Sequence, residues 1–344
     1  MKHLVILGAG SSKGCGFPLG NDMLSAVWPC IDDESRGLVR FLFPGVDPDQ
    51  PTEPYLTFDR LYSVVDLFIK NNITIGDYSI RRMQGIKNKL FHAYISVLSR
   101  FSLATGFECA GGCMERERYD EVKKNYEQWY RPFFEKVIGL SSGEITFVSF
   151  NYDVLIDNVL DDLVQAKRIS GFTYGVDLFD ITDQAKKVRQ DGIRLYKPHG
   201  SLNIVECPVC KRLFTSVTDH LPDFYAEYGC DACACPVAPV YKPPKVNKES
   251  DDFALNEVRD QVVSAIAEAD EITVIGYALP NYDMNVLSML AHGRALNKNK
   301  DALRIRLIDT DAKLKDKYES VFGVAVQKHD CHWGGFKSYA QSVL

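Results

Sequence analysis

Three clusters of polar residues in this chain combine residue type and spacing in ways that suit chemistry. The first, Gly8-Ala9-Gly10-Ser11-Ser12-Lys13, follows the apolar run Leu4-Val5-Ile6-Leu7 directly. A strand that runs into a turn of small residues leaves backbone N–H groups bare, and an anion such as a phosphate can sit against them. The turn lacks the third glycine of the dinucleotide fingerprint and is not a Walker A loop. It also suits a plain strand-to-helix turn. The second cluster joins Asn151-Tyr152-Asp153 with Pro198-His199-Gly200-Ser201. An amide and a carboxylate two residues apart at a strand end can read a carboxamide and order a water. One of them can equally cap a helix starting near Val154. A histidine at a strand end titrates near neutral pH and can act as a base, or can serve as a hydrogen-bonded loop residue.

The third cluster is cysteine. Cys207-Pro-Val-Cys210 and Cys230-Asp-Ala-Cys233 are separated by 19 residues. Two Cys-x-x-Cys knuckles at this spacing present four thiolates to one tetrahedral ion, which points to Zn2+. The set contains no histidine and no open position, so the ion would be structural. Cys235 is a possible substitute for Cys230 or Cys233, and two pairs of reduced thiols are the alternative.

These residues need elements to carry them. Segments 145–150, 271–275 and 303–308 are rich in β-branched or aromatic residues, and each ends in a polar or glycine turn. Segment 194–201 reads as another short strand ending in His199-Gly200. Residues 253–269 place Leu255, Val258, Val262, Ile266 and Ala269 at helical spacing. Strands alternating with helices predict an α/β fold with a Rossmann-like, doubly wound parallel sheet. Ligands of such sheets bind at the carboxyl ends of the strands, where the polar turns fall.

Segments 61–69, 86–103 and 119–138 read as helices of an insertion over 41–142, entered through a loop with Pro44, Pro48, Pro51 and Pro54. Cys109-Ala-Gly-Gly-Cys113 reads as a loop between two of these helices, and His329-Asp-Cys-His332 as a loop near the C-terminus. The expected organisation is a core of 1–40, 143–205 and 246–344, the helical insertion 41–142 and a small zinc ribbon over 206–245. A formal net charge of −6 over 344 residues argues against dominant direct nucleic-acid binding. The cluster Lys242-Pro-Pro-Lys245-Val-Asn-Lys248 reads as a solvated loop. No signal peptide or membrane-spanning run is visible, so a cytoplasmic protein with no membrane association is expected, its ten cysteines reduced or metal-bound.

The order of these segments resembles the sirtuin (SIR2-like) family. Gly8-Ala9-Gly10-Ser11-Ser12 with Gly16-Phe17-Pro18 is similar to the family's Gly-Ala-Gly-x-Ser and Gly-x-Pro motif. Ser149-Phe150-Asn151-Tyr152-Asp153 is similar to its Thr-x-Asn-x-Asp motif, and Pro198-His199-Gly200-Ser201 to its His-Gly motif. Gly276-Tyr277-Ala278 stands where the family has Gly-Thr-Ser, and Ile308-Asp309 where it has a ribose-contacting Ile-Asn. The Phe-Arg that follows Gly-x-Pro in the deacylases is Leu19-Gly20 here, and Pro239-Val-Tyr-Lys-Pro-Pro244 replaces their Phe-Gly-Glu. The form Gly-Tyr-x-Leu-Pro-x-x-Asp, at 276–283, is closest to the SIR2-like domains of bacterial antiphage defence systems, which hydrolyse NAD+.

The resemblance implies that the core is an NAD-binding SIR2 domain. Gly8, Ala9, Gly10, Ser11, Ser12, Pro18, Gly276, Tyr277, Asp283 and Asp309 would line the cofactor site. Asn151, Asp153 and His199 would be catalytic, with Asn151 and Asp153 also touching the cofactor. NAD+ would be the substrate, cleaved to nicotinamide and ADP-ribose. Activity would be gated by a homo-oligomer or by a partner such as a HerA-like ATPase or an Argonaute. A protein deacylase and a silent NAD or ADP-ribose sensor are the alternatives.

Overall fold

In the computed structural model, residues 1–20, 22–45, 56–103, 116–141, 143–215, 228–241, 253–280 and 283–344 are described. Pro48, Pro51, Pro54, the Cys109-to-Cys113 loop, the Lys242-to-Lys248 cluster, Asn281 and Tyr282 lie outside the described residues.

β1 (His3–Leu7) alternates its side chains between two cores, Leu4 and Ile6 on one face and Val5 and Leu7 on the other. It leads into α1 (Ala9–Lys13), α2 (Met23–Val27), α3 (Asp33–Leu42), α4 (Phe58–Lys70), α5 (Ile80–Leu103), α6 (Arg116–Asn125) and α7 (Arg131–Leu140). β2 (Ile145–Ser149) and α8 (Leu155–Gln165) precede β3 (Phe172–Thr173), β4 (Leu178–Asp180), β5 (Lys187–Val188), β6 (Ile193–Tyr196), β7 (Gly200–Glu206) and β8 (Leu213–Thr215). Then come β9 (Gly229–Cys230), β10 (Cys235–Pro236), β11 (Ala238–Tyr241), α9 (Phe253–Glu268), β12 (Glu271–Ile275) and α10 (Met284–Leu296). β13 (Arg304–Ile308), α11 (Leu314–Phe322), β14 (Cys331–His332) and α12 (Gly335–Val343) complete the chain.

Seven strands form one parallel sheet in the order β14-β13-β12-β1-β2-β6-β3. The chain builds outward from β1 to one side with β2, β6 and β3, and to the other with β12, β13 and β14. β1 therefore marks the switch point, where sheets of this kind open a crevice at their carboxyl edge. Helices cover both faces. Phe133 and Phe134 of α7, Leu155 and Val159 of α8, and Phe336 of α12 pack with Val5, Leu7 and Phe147. Val262 and Ile266 of α9, Leu290 of α10 and Tyr318 of α11 pack with Leu4, Ile6 and Val274. This is the expected doubly wound arrangement. A second, five-stranded sheet runs β11-β7-β8-β4-β5, and β9 and β10 form a two-stranded hairpin.

Strand 271–275 is as expected, whereas 145–150 ends at Ser149 and 303–308 begins at Arg304. Segment 194–201 is not one strand. β6 stops at Tyr196, and Gly200 opens β7 in the other sheet. Pro198 offers no N–H to a ladder. Gly200, at φ 88°, allows the sharp turn that its own N–H closes on the Lys197 carbonyl at 2.9 Å. The expected helix 119–138 is broken by a π-turn over Tyr126–Tyr130, with the Arg131 N–H bonded to the Tyr126 carbonyl. Pro132 cannot donate to the preceding turn and would clash with it, so the helix widens just before it. His329-Asp-Cys-His332, expected as loop, instead adds β14 to the sheet edge, Cys331 opposite Leu307.

Candidate functional site

The carboxyl ends of β1, β2 and β12 meet in register: Leu7 lies opposite both Ser149 and Ile275. The residues just beyond them are Gly8, Phe150-Asn151 and Gly276. The glycines there are required by backbone contact. A Cβ on Gly8 would lie 2.5 Å from the Gly276 carbonyl oxygen, and one on Gly10 2.7 Å from the Gly276 Cα. Gly276 sits at φ 63°, and its own Cβ would fall 2.3 Å from the Gly10 carbonyl carbon. The Gly10 N–H donates to the Gly276 carbonyl at 2.8 Å, and the Ser11 N–H to the Gly8 carbonyl at 2.8 Å. Two of the turn's amides are thus engaged within the fold.

Asn151 reaches back over this turn. Its Nδ2 donates to the Gly8 carbonyl at 2.9 Å and to the hydroxyls of Ser11 and Ser12 at 3.2 and 3.1 Å. A carbonyl only accepts, so the amide nitrogen must face Gly8 and the amide oxygen faces away. The Ser12 hydroxyl in turn donates to Asp153 Oδ2 at 2.8 Å, and Asp153 Oδ1 accepts the Leu155 N–H at 3.1 Å. Asp153 thus accepts the first amide of α8 from the position before its N-cap residue, Val154, while its other oxygen joins Asn151 through Ser12. Burial pushes the Asp153 carboxyl above the usual carboxylate range, against the pull of Lys197 and the Ser12 hydroxyl.

His199 is buried beside Asn151. Its Nδ1 lies 3.3 Å from the Phe150 carbonyl, and its Nε2 lies 3.6 Å from Asp283 Oδ2. The carbonyl requires the proton on Nδ1, which leaves Nε2 as the basic nitrogen of the neutral ring. Asp283 is held by the Tyr277 hydroxyl at 2.9 Å, and the Tyr277 ring stacks on Phe150 at 4.5 Å. The sequence places Asp283 and Tyr277 in the cofactor site; here Asp283 lies beside the histidine, and Tyr277 reaches it through Asp283. Asp309 lies half-buried at the end of β13, its Oδ1 accepting the Thr310 and Asp311 N–H groups at 2.6 and 3.1 Å. Ala9 is exposed at the start of α1, and Pro18 is half-buried between α1 and α2.

Sequence reasoning missed a buried ionic network behind these residues. Lys197 Nζ donates to the Asp153 carbonyl at 2.5 Å and to Asp157 Oδ2 at 3.1 Å. Asp157 Oδ1 accepts the Tyr174 hydroxyl, which accepts Asn203 Nδ2 at 2.8 Å. The signal was available in the sequence: an aspartate in the apolar face of α8 (Leu155, Ile156, Val159, Leu160) and a lysine that follows a core strand.

The sulfurs of Cys207, Cys210, Cys230 and Cys233 lie within 4.8 Å of one another. Metal–sulfur bonds near 2.3 Å in a tetrahedron set sulfurs about 3.8 Å apart, and Cys210 and Cys230 are at 3.7 Å. The four thiols can therefore hold a metal ion. Burial raises the Cys207 thiol, but the backbone N–H groups of Cys210 and Val209 and the neighbouring thiols bring it down to about 6. Cys235, offered above as a substitute ligand, stands outside this set of four, its sulfur 3.5 Å from that of Cys207.

No family model matches the chain, and no curated protein does. Among solved structures it is similar to a Sir2 bound to acetylated peptide, with a TM-score of 0.46 and 10% identity over 99% of this chain and 91% of that one. A Sir2 homologue triple mutant in complex with 2′-O-acetyl-ADP-ribose gives a TM-score of 0.42 and 13% identity over 96% and 87%. A structure concerned with sirtuin substrate affinity gives 0.40 and 11% over 99% and 92%. At such scores the functional reading rests on this chain's own residues. Among the described residues, no helix is long and apolar enough to cross a membrane.

Proposed function

We propose that the chain binds NAD+ across the carboxyl ends of β1, β2, β12 and β13 and hydrolyses it to nicotinamide and ADP-ribose. One observation carries the reading: Asn151, Ser12 and Asp153 share one buried hydrogen-bond network at the ends of β1 and β2, and His199, from a third segment, is buried against the carbonyl of Phe150, the residue before Asn151. Asp309 would take the adenosine ribose hydroxyls, as an acidic residue does in dinucleotide folds. The dinucleotide's phosphates would pass the glycine turn at Ala9, which is exposed.

Cleavage of the N-glycosidic bond develops positive charge on the ribose, as in glycoside hydrolysis. Water adds at the anomeric carbon as nicotinamide leaves with the bonding electron pair, and one proton is released. The Asn151 side-chain oxygen, turned away from Gly8, would orient that water, and His199 Nε2 would accept the proton. Asp283 stabilises the imidazolium so formed. The four cysteines would hold a structural Zn2+ that fixes the ribbon, distant in role from the reaction.

The departures from the deacylase motifs, Leu19-Gly20 and Pro239-Val-Tyr-Lys-Pro-Pro244, favour hydrolysis over protein deacylation. Cysteine pairs that can form a ribbon favour the deacylase, which would consume acetyl-lysine peptide and yield O-acetyl-ADP-ribose. Antiphage defence, an oligomer and gating by an ATPase or Argonaute partner, with the helices of 41–142 as the contact surface, extend the same proposal. The deciding experiment is NAD+ with the purified protein alone, nicotinamide and ADP-ribose being followed by chromatography. Release by the wild type that is lost in His199→Ala supports hydrolysis. Release only with acetylated peptide transfers the site to deacylation.

A further inference from the structure

We propose that Lys197 and Asp157 are positioning residues: the buried ammonium clamps the Asp153 carbonyl and so fixes the turn at 151–153 in the geometry that presents Asn151. The inference rests on the reading of Asn151 and Asp153 as the reacting centre. The side chains of Lys197 and Asp157 are each 1% exposed. Buried charges persist where partners satisfy them, and here the partners lead to the site. Lys197 Nζ bonds Asp157 on one side and the Asp153 carbonyl on the other. Asp157 is braced by Tyr174, Tyr174 by Asn203, and Asn203 Oδ1 by the Ser201 hydroxyl at 2.6 Å.

The brace thus draws on α8, on the residue after β3 and on β7. It ends at a backbone carbonyl in an irregular turn, where no ladder supplies a donor. The Leu202 N–H adds a second tie, to the Tyr152 carbonyl at 3.0 Å. Lys197 also joins both arms of the site. Its side chain holds the turn carrying Asn151, and its carbonyl accepts from Gly200 to close the turn carrying His199. Stability alone does not call for such a pair, since buried ion pairs roughly break even with apolar ones. Orientation of the turn does.

Lys197→Met alone strands a buried carboxylate and is expected to impair folding. The informative variant is the double, Lys197→Met with Asp157→Asn, in which the introduced amide oxygen can still accept from Tyr174. The double variant is expected to keep its thermal midpoint within about 3 °C of wild type, because both charges leave together. Its kcat for NAD+ should fall at least about tenfold with KM within about threefold, the pattern of a lost transition-state geometry. Wild-type kcat in a stable double variant overturns the proposal and leaves a packing role. Hydrogen exchange separates this from the functional reading. The amides of 151–155 should exchange faster in the double variant while those of β1 and β12 do not change. If the purified wild type cleaves no NAD+, hydrolysis by the chain alone fails, and unchanged exchange at 151–155 still overturns the clamp.

Discussion

His199 has one ring nitrogen against a carbonyl and the other near a carboxylate, and this asymmetry decides what it can do. The Phe150 carbonyl holds the proton on Nδ1, so any proton the ring gains arrives at Nε2, 3.6 Å from Asp283. If His199 is the base, Asp283→Asn should lower kcat, by at most roughly the 10²- to 10⁴-fold typical of lost acid–base assistance, with KM little changed. Wild-type kcat in this variant would show that Asp283 does not support the histidine. Asn151, Asp153 and His199 were legible in the sequence because each sits in a short motif at the end of an apolar run. The partnerships of Lys197 with Asp157 and of His199 with Asp283 were not, because these residues lie far apart along the chain and meet only when the sheet forms.

At the scale of elements, what was legible follows periodicity. β1, β2, β12 and β13 are five residues each and rich in apolar and β-branched side chains, enough to declare a strand. β3, β5, β9 and β10 are two residues each, too short for any period, and in the second sheet only β7, at seven residues, is longer than four, so that sheet had little periodic signature. The junction between β1 and β12 is the tightest in the molecule's site. Gly276→Ala would put a side chain at φ 63° and 2.3 Å from the Gly10 backbone. The left-handed conformation alone costs roughly 1–2 kcal/mol, and neither backbone can retreat without disturbing the Asn151 network. A loss of more than about 2 kcal/mol in denaturant unfolding is expected; a neutral effect would mean that the glycine turn is not packed as described. For the ribbon, elemental analysis should find one zinc per chain. Cys230→Ser should abolish it and loosen β7, β9 and β11 in hydrogen exchange, whereas Cys235→Ser should retain the metal.

At the scale of the whole molecule, acid should unfold this protein through a small number of carboxylates. Asp330 is the clearest. Its side chain is 2% exposed, and Arg304 grips it from 2.5 Å, with Arg306 at 3.8 Å and His329 at 3.7 Å. The Arg304 hydrogen bonds hold its carboxyl below the usual carboxylate range. A carboxyl whose pKa is depressed by folding contributes stability that is present above its unfolded pKa, about 3.9, and lost as pH falls through the folded value. Glu268, Asp270 and Glu319 are lowered in the same direction, and Asp32 to about 2 by Lys89 and Ser35, but these are exposed or half-buried pairs that salt screens. Asp153 and Asp161 act in the opposite sense. Burial raises both, so their contribution is full below the unfolded pKa and declines as pH rises through the folded values. Asp330→Asn isolates the first effect. At pH 7 and high salt the variant should melt below the wild type. As pH falls below about 4 the two curves should converge, because the wild type protonates the carboxyl that the variant lacks. Thermal midpoints measured from about pH 3 to 7 decide the matter, a range that brackets the unfolded carboxyl value. Curves that stay parallel would mean that Asp330 ties β13 to the chain edge without carrying the acid sensitivity of the fold.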